Sequence, residues 1–198
     1  MDLQTPKKKA EPQIITSGSM AILRDALLSD VDSYISWMKH GEWQLYDAPW
    51  ENRHLPRNEH DIHILFTERF MHNLFLPRSR AIITTADNKP LGWVNRYMDK
   101  RFPDAWFIGI DICEDDYLNR GIGTAAFRLW VDYLFSNSNI HRIGFATYSF
   151  NLRMIRVAEK LKFRHEGTDR EIIEWQGEWV DRLHFGILRK EWEGRTCT

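Results

Sequence analysis

Between Ile108 and Ala126 an apolar run, Ile108-Gly109-Ile110-Asp111-Ile112-Cys113, passes through Glu114-Asp115-Asp116-Tyr117-Leu118-Asn119-Arg120 into Gly121-Ile122-Gly123-Thr124-Ala125-Ala126. This pattern reads as a strand feeding a short loop and then a helix. Gly121 and Gly123 let the backbone turn tightly and approach a ligand, while the free N–H groups of the helix's first turn lie at the positive end of its dipole. The segment therefore suits phosphate, to which Arg120 can add a charge-assisted bond and Thr124 a hydroxyl. Phe127, Leu129, Trp130, Tyr133 and Leu134 bury the far face of the helix.

Gly-x-Gly at a helix start also serves as a plain helix entry, so context decides. The chain has no Gly-x-x-x-x-Gly-Lys-Ser/Thr, and the dinucleotide spacing would place its third glycine at Ala126, where some dinucleotide sites accept alanine. The following strand candidate, Ile140 to Phe150, contains no acidic residue to hold a ribose. A nicotinamide-dependent reductase is correspondingly disfavoured.

Upstream, Met20 to Ala26 reads as a short strand, and Ser29 can cap a helix carrying Val31, Tyr34, Ile35 and Met38 at helical spacing. Gly41 to Arg57 holds Trp43, Tyr46 and Trp50 with Pro49 and Pro56; it reads either as a substrate lid or as a loop packed on the core. A helix is predicted over Glu59 to Asn73, with Ile62, Leu65, Phe66, Arg69 and Phe70 recurring on one side. His60 and His63 share its polar side without a third ligand, so no metal site is predicted. Three strands follow, Arg80 to Ala86, Pro90 to Met98 and Ala105 to Ile112. The turns Asp87-Asn88-Lys89-Pro90 and Arg101-Phe102-Pro103-Asp104 separate them, which argues for an antiparallel meander.

The 198 residues, 43% of them hydrophobic, suffice for one α/β domain, assigned to residues 20–198. Residues 1–19, with Lys7, Lys8, Lys9, Pro6, Pro12 and Gly18, are read as a flexible leader. Near-balance of 27 Lys+Arg against 28 Asp+Glu provides no broad field for nucleic acid. No apolar run suits a signal peptide or a membrane span, so the expected compartment is the cytoplasm, with Cys113 and Cys197 as reduced thiols.

Asp116 to Ala126 resembles the pyrophosphate loop of GNAT N-acetyltransferases. Asn151-Leu152-Arg153-Met154-Ile155-Arg156-Val157-Ala158-Glu159-Lys160-Leu161-Lys162-Phe163, followed by Glu166-Gly167, is similar to the next motif of that family, with Lys162 in place of its usual glycine. The closing stretch from Arg170 to Trp192 is similar to the subgroup containing the ribosomal-protein N-terminal acetylases. The resemblance implies a GNAT fold: a mixed sheet of six to seven strands, flanked by about four helices and splayed between its fourth and fifth strands, which end near Ile112 and Phe150. Acetyl-CoA would enter that wedge. The backbone of Ile110, Asp111 and Ile112 would hold the pantetheine arm, Asn119, Arg120, Gly121, Ile122, Gly123 and Thr124 the pyrophosphate, and Asn151 would touch the cofactor. Homodimers are a family expectation.

In such chemistry a neutral amine attacks the thioester directly, a backbone N–H stabilises the oxyanion, a base takes the ammonium proton and an acid returns one to the thiolate. Candidate bases are Asp111, Glu171 and Glu174. Asp111 alternates with Ile110 and Ile112 and also reads as facing solvent or bonding a neighbouring backbone. The family's usual tyrosine acid falls at Ala158 and its serine substitute near Met154, which leaves Tyr148 as a candidate acid or a core aromatic. Asn151 is also a good N-cap. Trp43, Tyr46, Trp50, Trp93, Tyr97 and Trp175 can wall an acceptor pocket suited to a polyamine or aminoglycoside, or belong to the core. The resulting expectation is acetyl transfer to a primary amine of a small molecule or a protein N-terminus. The rival reading is a catalytically silent acyl-CoA-binding module.

Overall fold

The computed structural model describes residues 13–51, 56, 58–72 and 75–194. Among them are strands β1 Ile14–Ser17, β2 Ile22–Arg24, β3 Arg80–Thr84, β4 Pro90–Met98, β5 Ala105–Ile112, β6 Arg142–Tyr148, β7 Arg164–Trp175 and β8 Glu178–Leu188. The helices are α1 Val31–Lys39, α2 Glu59–Phe66, α3 Ile122–Ser136, α4 Leu152–Lys160 and the single turn α5 Arg189–Glu193. The strands form one sheet in the order β1-β2-β3-β4-β5-β6-β8-β7. All neighbours are antiparallel except β5 and β6, which are joined through α3.

The meander from β3 to β5 follows the sequence expectation, but the sheet has eight described strands rather than six to seven. The additional strand, β1, comes from the stretch assigned to a leader. It offers only Ile14 and Ile15 as apolar residues and pairs irregularly with β2 at the sheet edge, which leaves little periodic signal. Residues 1–12, Arg57, Asn73 and Cys197 lie outside the described residues.

Alternation along the strands builds a core on each face. Ile83 and Val94 face α3, whose Phe127, Trp130, Val131 and Leu134 pack on Ile108, Ile143 and Phe145. Ile82 and Trp93 face the other way, into Tyr34, Trp37, Phe66 and Phe70 from α1, α2 and the turn after it. Each such fully buried side chain contributes about 1.5–3 kcal/mol of burial free energy.

Two local expectations change. Ser29 is not the cap of the first helix; the chain enters α1 through a tight turn, Leu28–Asp30. The buried Asp30 carboxylate accepts from the Leu27 N–H (2.7 Å) and pairs with Arg24 through both oxygens (2.7 and 2.8 Å). The helix predicted from Glu59 stays regular only to Phe66 and continues as a π-turn, Thr67–Met71. That wider turn carries Arg69, whose guanidinium donates to the Tyr34 hydroxyl (3.1 Å).

Gly92 on β4 takes φ +151, and a Cβ there would stand 1.9 Å from the Asp111 carbonyl oxygen. Only glycine lets the two strands meet this closely at the end of β5.

Candidate active site

Strands β5 and β6 are in register only from Ala105↔Arg142 to Phe107↔Gly144, and past that point they diverge. The peptide edge of Ile108 to Ile112 is thus left without a strand partner on the β6 side. A cavity of about 460 Å³ fills the divergence. Its walls come from β5, β6, the loop before α3, the start of α3, α4 and the aromatic segment after α1.

At one end of the cavity stands the α3 N-terminus. Gly121 occupies the cap position at φ +83, in the left-handed region, and no side chain caps the helix. The first helical bond of this turn is from the Ala125 N–H to the Gly121 carbonyl (3.0 Å), so the N–H groups of Ile122, Gly123 and Thr124 have no acceptor among the described residues. Asn119, Gly121, Gly123 and Thr124 line the cavity. Arg120 does not; it is exposed, with its guanidinium 5.6 Å from the Tyr117 ring. The Ile122 side chain is buried in the core, and the residue does not line the cavity.

Along α4, Arg153, Arg156 and Lys160 line the same cavity. Their spacing of three and four residues puts them on one helix face. The same spacing suits a solvated helix face, so the sequence alone does not direct these cations to the cavity. Asn151 caps α4, its Oδ1 accepting from the Met154 N–H (3.1 Å), while its Nδ2 donates to the Tyr46 carbonyl (3.3 Å). Ala158 is buried in the core, whereas Met154 faces the cavity, so neither position supplies an acid.

The other wall is the segment from Gly41 to Trp50, which is part core and part cavity wall. Trp43 is buried and its indole donates to the Trp37 carbonyl (3.0 Å). Tyr46, Asp47 and Ala48 line the cavity. The segment acts as a strap across the wedge. The Glu42 N–H donates to Asp115 Oδ1 (2.9 Å), Arg153 pairs with Glu42 (2.8 Å) and lies over the Tyr46 ring (4.6 Å), and Trp50 meets Tyr148 edge-on (4.5 Å).

Of the four residues that the sequence offers for catalysis, the fold brings Asp111 and Tyr148 to the cavity. Asp111 lies opposite Trp93 on β4, whose indole donates to its carboxyl. Burial first, and then the neighbouring Asp47, push the Asp111 carboxyl well above the usual carboxylate range, against the opposing pull of Arg80 and Arg69. Tyr148 also lines the cavity, and burial followed by nearby Glu51 raises its phenol pKa, so it stays protonated at neutral pH. Glu171 and Glu174 are exposed on β7 and do not line the cavity. Glu171 sits at φ +52 in a register shift between Asp169 and Ile173, its N–H donating to Asp181 Oδ1 (2.8 Å).

Asp47 is a second carboxylate at the cavity. Although water reaches it through the cavity mouth, the surrounding protein raises its carboxyl pKa, with Glu51 adding to the shift and Arg69 opposing it. An acid set between Tyr46 and Trp50 is the signal that finds it. Cys113 is buried, and burial followed by Asp111 pushes its thiol far up, which leaves it unreactive. His60 and His63 are exposed on α2.

A sheet splayed over an uncapped, glycine-led helix start matches a known family. The Acetyltransferase (GNAT) domain profile matches residues 21–164, and the chain belongs to the GNAT acetyltransferase family. The Bacillus subtilis (strain 168) protein named "Probable N-acetyltransferase YjcK" is 34% identical over 112 residues, 56% of this chain and 61% of that protein. YokL of the same organism, named an uncharacterized N-acetyltransferase, is 26% identical over 143 residues, covering 72% of this chain and 78% of that one. The chain's matches to the first two curated relatives span 61% and 45% of their lengths. Among solved structures, a GNAT-family acetyltransferase from Bacillus anthracis aligns with a TM-score of 0.72 at 19% identity, over 88% of this chain and 98% of that one. A spermidine N-acetyltransferase from Vibrio cholerae in complex with CoA and spermine aligns with a TM-score of 0.71 at 17% identity, over 89% and 99%. At these identities the structural likeness establishes the fold.

Proposed function

We propose that the protein transfers an acetyl group from acetyl-CoA to a primary amine by direct attack within a ternary complex. The observation that carries this reading is the convergence of three features on one cavity: the unpaired β5 edge, the uncapped α3 N-terminus and the raised carboxyl of Asp111. The residues fit the donor. Free N–H groups of Ile122, Gly123 and Thr124 suit its pyrophosphate, and Arg156 and Lys160 add positive charge. Peptide groups of Ile110, Asp111 and Ile112 suit the pantetheine arm. Asn119 and Arg120 flank the phosphate loop. Asn151 serves the site through the cap and the strap, since both of its polar side-chain atoms are already engaged.

In the reaction Asp111, as carboxylate, takes the proton of the acceptor ammonium. The amine nitrogen then forms its bond to the thioester carbon, the carbon–sulfur bond breaks, the thiolate takes a proton from the Tyr148 phenol, and the phenolate recovers one from the nascent amide nitrogen. A carboxyl with an elevated pKa is matched to this task, because base strength near neutrality is what general-base catalysis needs. Glu171 and Glu174 are excluded from direct proton transfer by their position in this reading.

Acceptors are small-molecule amines or protein N-termini. The second is supported by one relative of Bacillus subtilis (strain 168), named "Putative ribosomal N-acetyltransferase YdaF", which is 29% identical over 79 residues. The first is supported by the relative named Aminoglycoside N(6')-acetyltransferase type 1 from Klebsiella pneumoniae, 29% identical over 96 residues. The reading also places the protein in the cytoplasm and as a homodimer, open to fractionation and sedimentation. The experiment is thiol release from acetyl-CoA against an amine panel. Release that depends on an amine supports the reading. Binding of acetyl-CoA with no transfer to any amine would leave a silent acyl-CoA-binding module in its place.

A further inference from the structure

Charge in the cavity is segregated. The cationic residues lining it, Arg153, Arg156 and Lys160, all lie on α4, while the carboxylates lining it are Asp111 on β5 and Asp47 on the strap. Asp111 is engaged by Trp93. Asp47 accepts no hydrogen bond and joins no ion pair through its carboxylate among the described residues; only its backbone is bonded, the N–H to the Trp43 carbonyl (3.2 Å). Tyr97 and Tyr148 line the same cavity, and both feel the Asp47 charge. Tyr97, half-exposed, is stacked on Phe107 (5.6 Å), and Tyr148 meets Trp50 edge-on (4.5 Å).

We propose that Asp47 is a specificity-determining residue that takes a second cationic group on the acceptor, so that the preferred substrate is a diamine or polyamine rather than a monoamine. This rests on the acetyl-transfer reading above. One ammonium loses its proton to Asp111 and is acetylated, and the other remains charged, paired with Asp47 and flanked by aromatic faces. The strap makes this arrangement depend on α4. Asn151 and Arg153 hold Tyr46 and Glu42 and thereby set Asp47, the next residue after Tyr46, over the cavity. Asn151 is in this sense a positioning residue.

The test is steady-state kinetics with acetyl-CoA and two acceptors of equal chain length, cadaverine and n-pentylamine, for the wild type, Asp47→Asn, Asp47→Glu and Asn151→Asp. The wild type is expected to favour cadaverine by roughly tenfold or more in kcat/KM, mostly through KM. Asp47→Asn is expected to bring that ratio near unity and Asp47→Glu to restore part of it. Asn151→Asp keeps an oxygen to cap α4 but loses the donor to Tyr46, and is expected to reduce the ratio. Acetyl-CoA binding by each variant confirms that it is folded. A ratio unchanged by Asp47→Asn, or a wild type that acetylates both amines equally, overturns the assignment of Asp47. Failure to acetylate any amine overturns the underlying acetyl-transfer reading instead.

Discussion

Asn151 Nδ2 donates to the Tyr46 carbonyl across 3.3 Å, joining the first residue of the α4 motif to a strap more than a hundred positions earlier in the chain. The same side chain caps α4 through its oxygen. One residue therefore sets the helix that carries the cavity's cations and the segment that carries one of its two carboxylates.

Asn151→Ala removes both bonds. Loss of the cap is expected to cost about 1 kcal/mol of stability, and loss of the tether to raise KM for the acceptor more than KM for acetyl-CoA. Asn151→Asp separates the two effects, retaining the melting temperature while still raising KM for the acceptor. Thermal melts alongside kinetics with each substrate varied in turn would check both.

Asp111→Asn is expected to lower kcat/KM by about 100-fold or more, the usual scale for a lost general base. The pH profile of the wild type should fall on the acid side at a pH above the ordinary carboxylate range, because the Asp111 carboxyl is raised. The sign for stability is opposite to that for activity. With its folded pKa above its unfolded one, Asp111 binds its proton more tightly in the folded state, so its contribution to stability falls as pH rises from the ordinary carboxylate pKa through the folded one. Asp111→Asn should therefore melt higher than the wild type at neutral pH, and a lower melting temperature there would contradict the burial argument.

Gly92→Ala is expected to destabilise the fold by about 3 kcal/mol or more, since its Cβ would overlap the Asp111 carbonyl oxygen and the residue would adopt a backbone conformation rare for alanine. Denaturant melts would show it as a fall in midpoint.

Lys162 follows α4 at φ +51, in the left-handed region where the resembled motif has glycine. Lys162→Gly is expected to stabilise the protein by about 1 kcal/mol without changing kcat, because the left-handed conformation costs a side-chain-bearing residue about that much.

Features that depend on neighbouring residues were legible in the sequence. The glycines at 121 and 123, the turn at Asn88 and the Asn151 cap each follow from chemistry within a few positions, and the splay follows from the family motifs on either side of it. Features that depend on which face meets the wedge were not. Arg156 and Lys160 look the same on a solvated helix as on a cofactor wall. Asp47 depends on a strap whose path is set by contacts with Asp115, Asn151 and Arg153. Glu171 and Glu174 sit in a plausible closing strand, but the irregular pairing between Asp169 and Ile173 breaks the alternation from which their direction would be inferred. The β1 strand was hidden because an edge strand with two apolar residues carries no period.

The most direct test of the central claim is calorimetric titration of acetyl-CoA into the wild type and into Gly123→Leu. A Cβ at Gly123 meets only Ile112 Cγ1, at 3.6 Å, so the fold tolerates a side chain that the phosphate cradle does not. Acetyl-CoA is expected to bind the wild type and to bind the variant roughly tenfold or more weakly. No binding by the folded wild type, or equal binding by both proteins, would contradict the claim that the α3 N-terminus holds the donor.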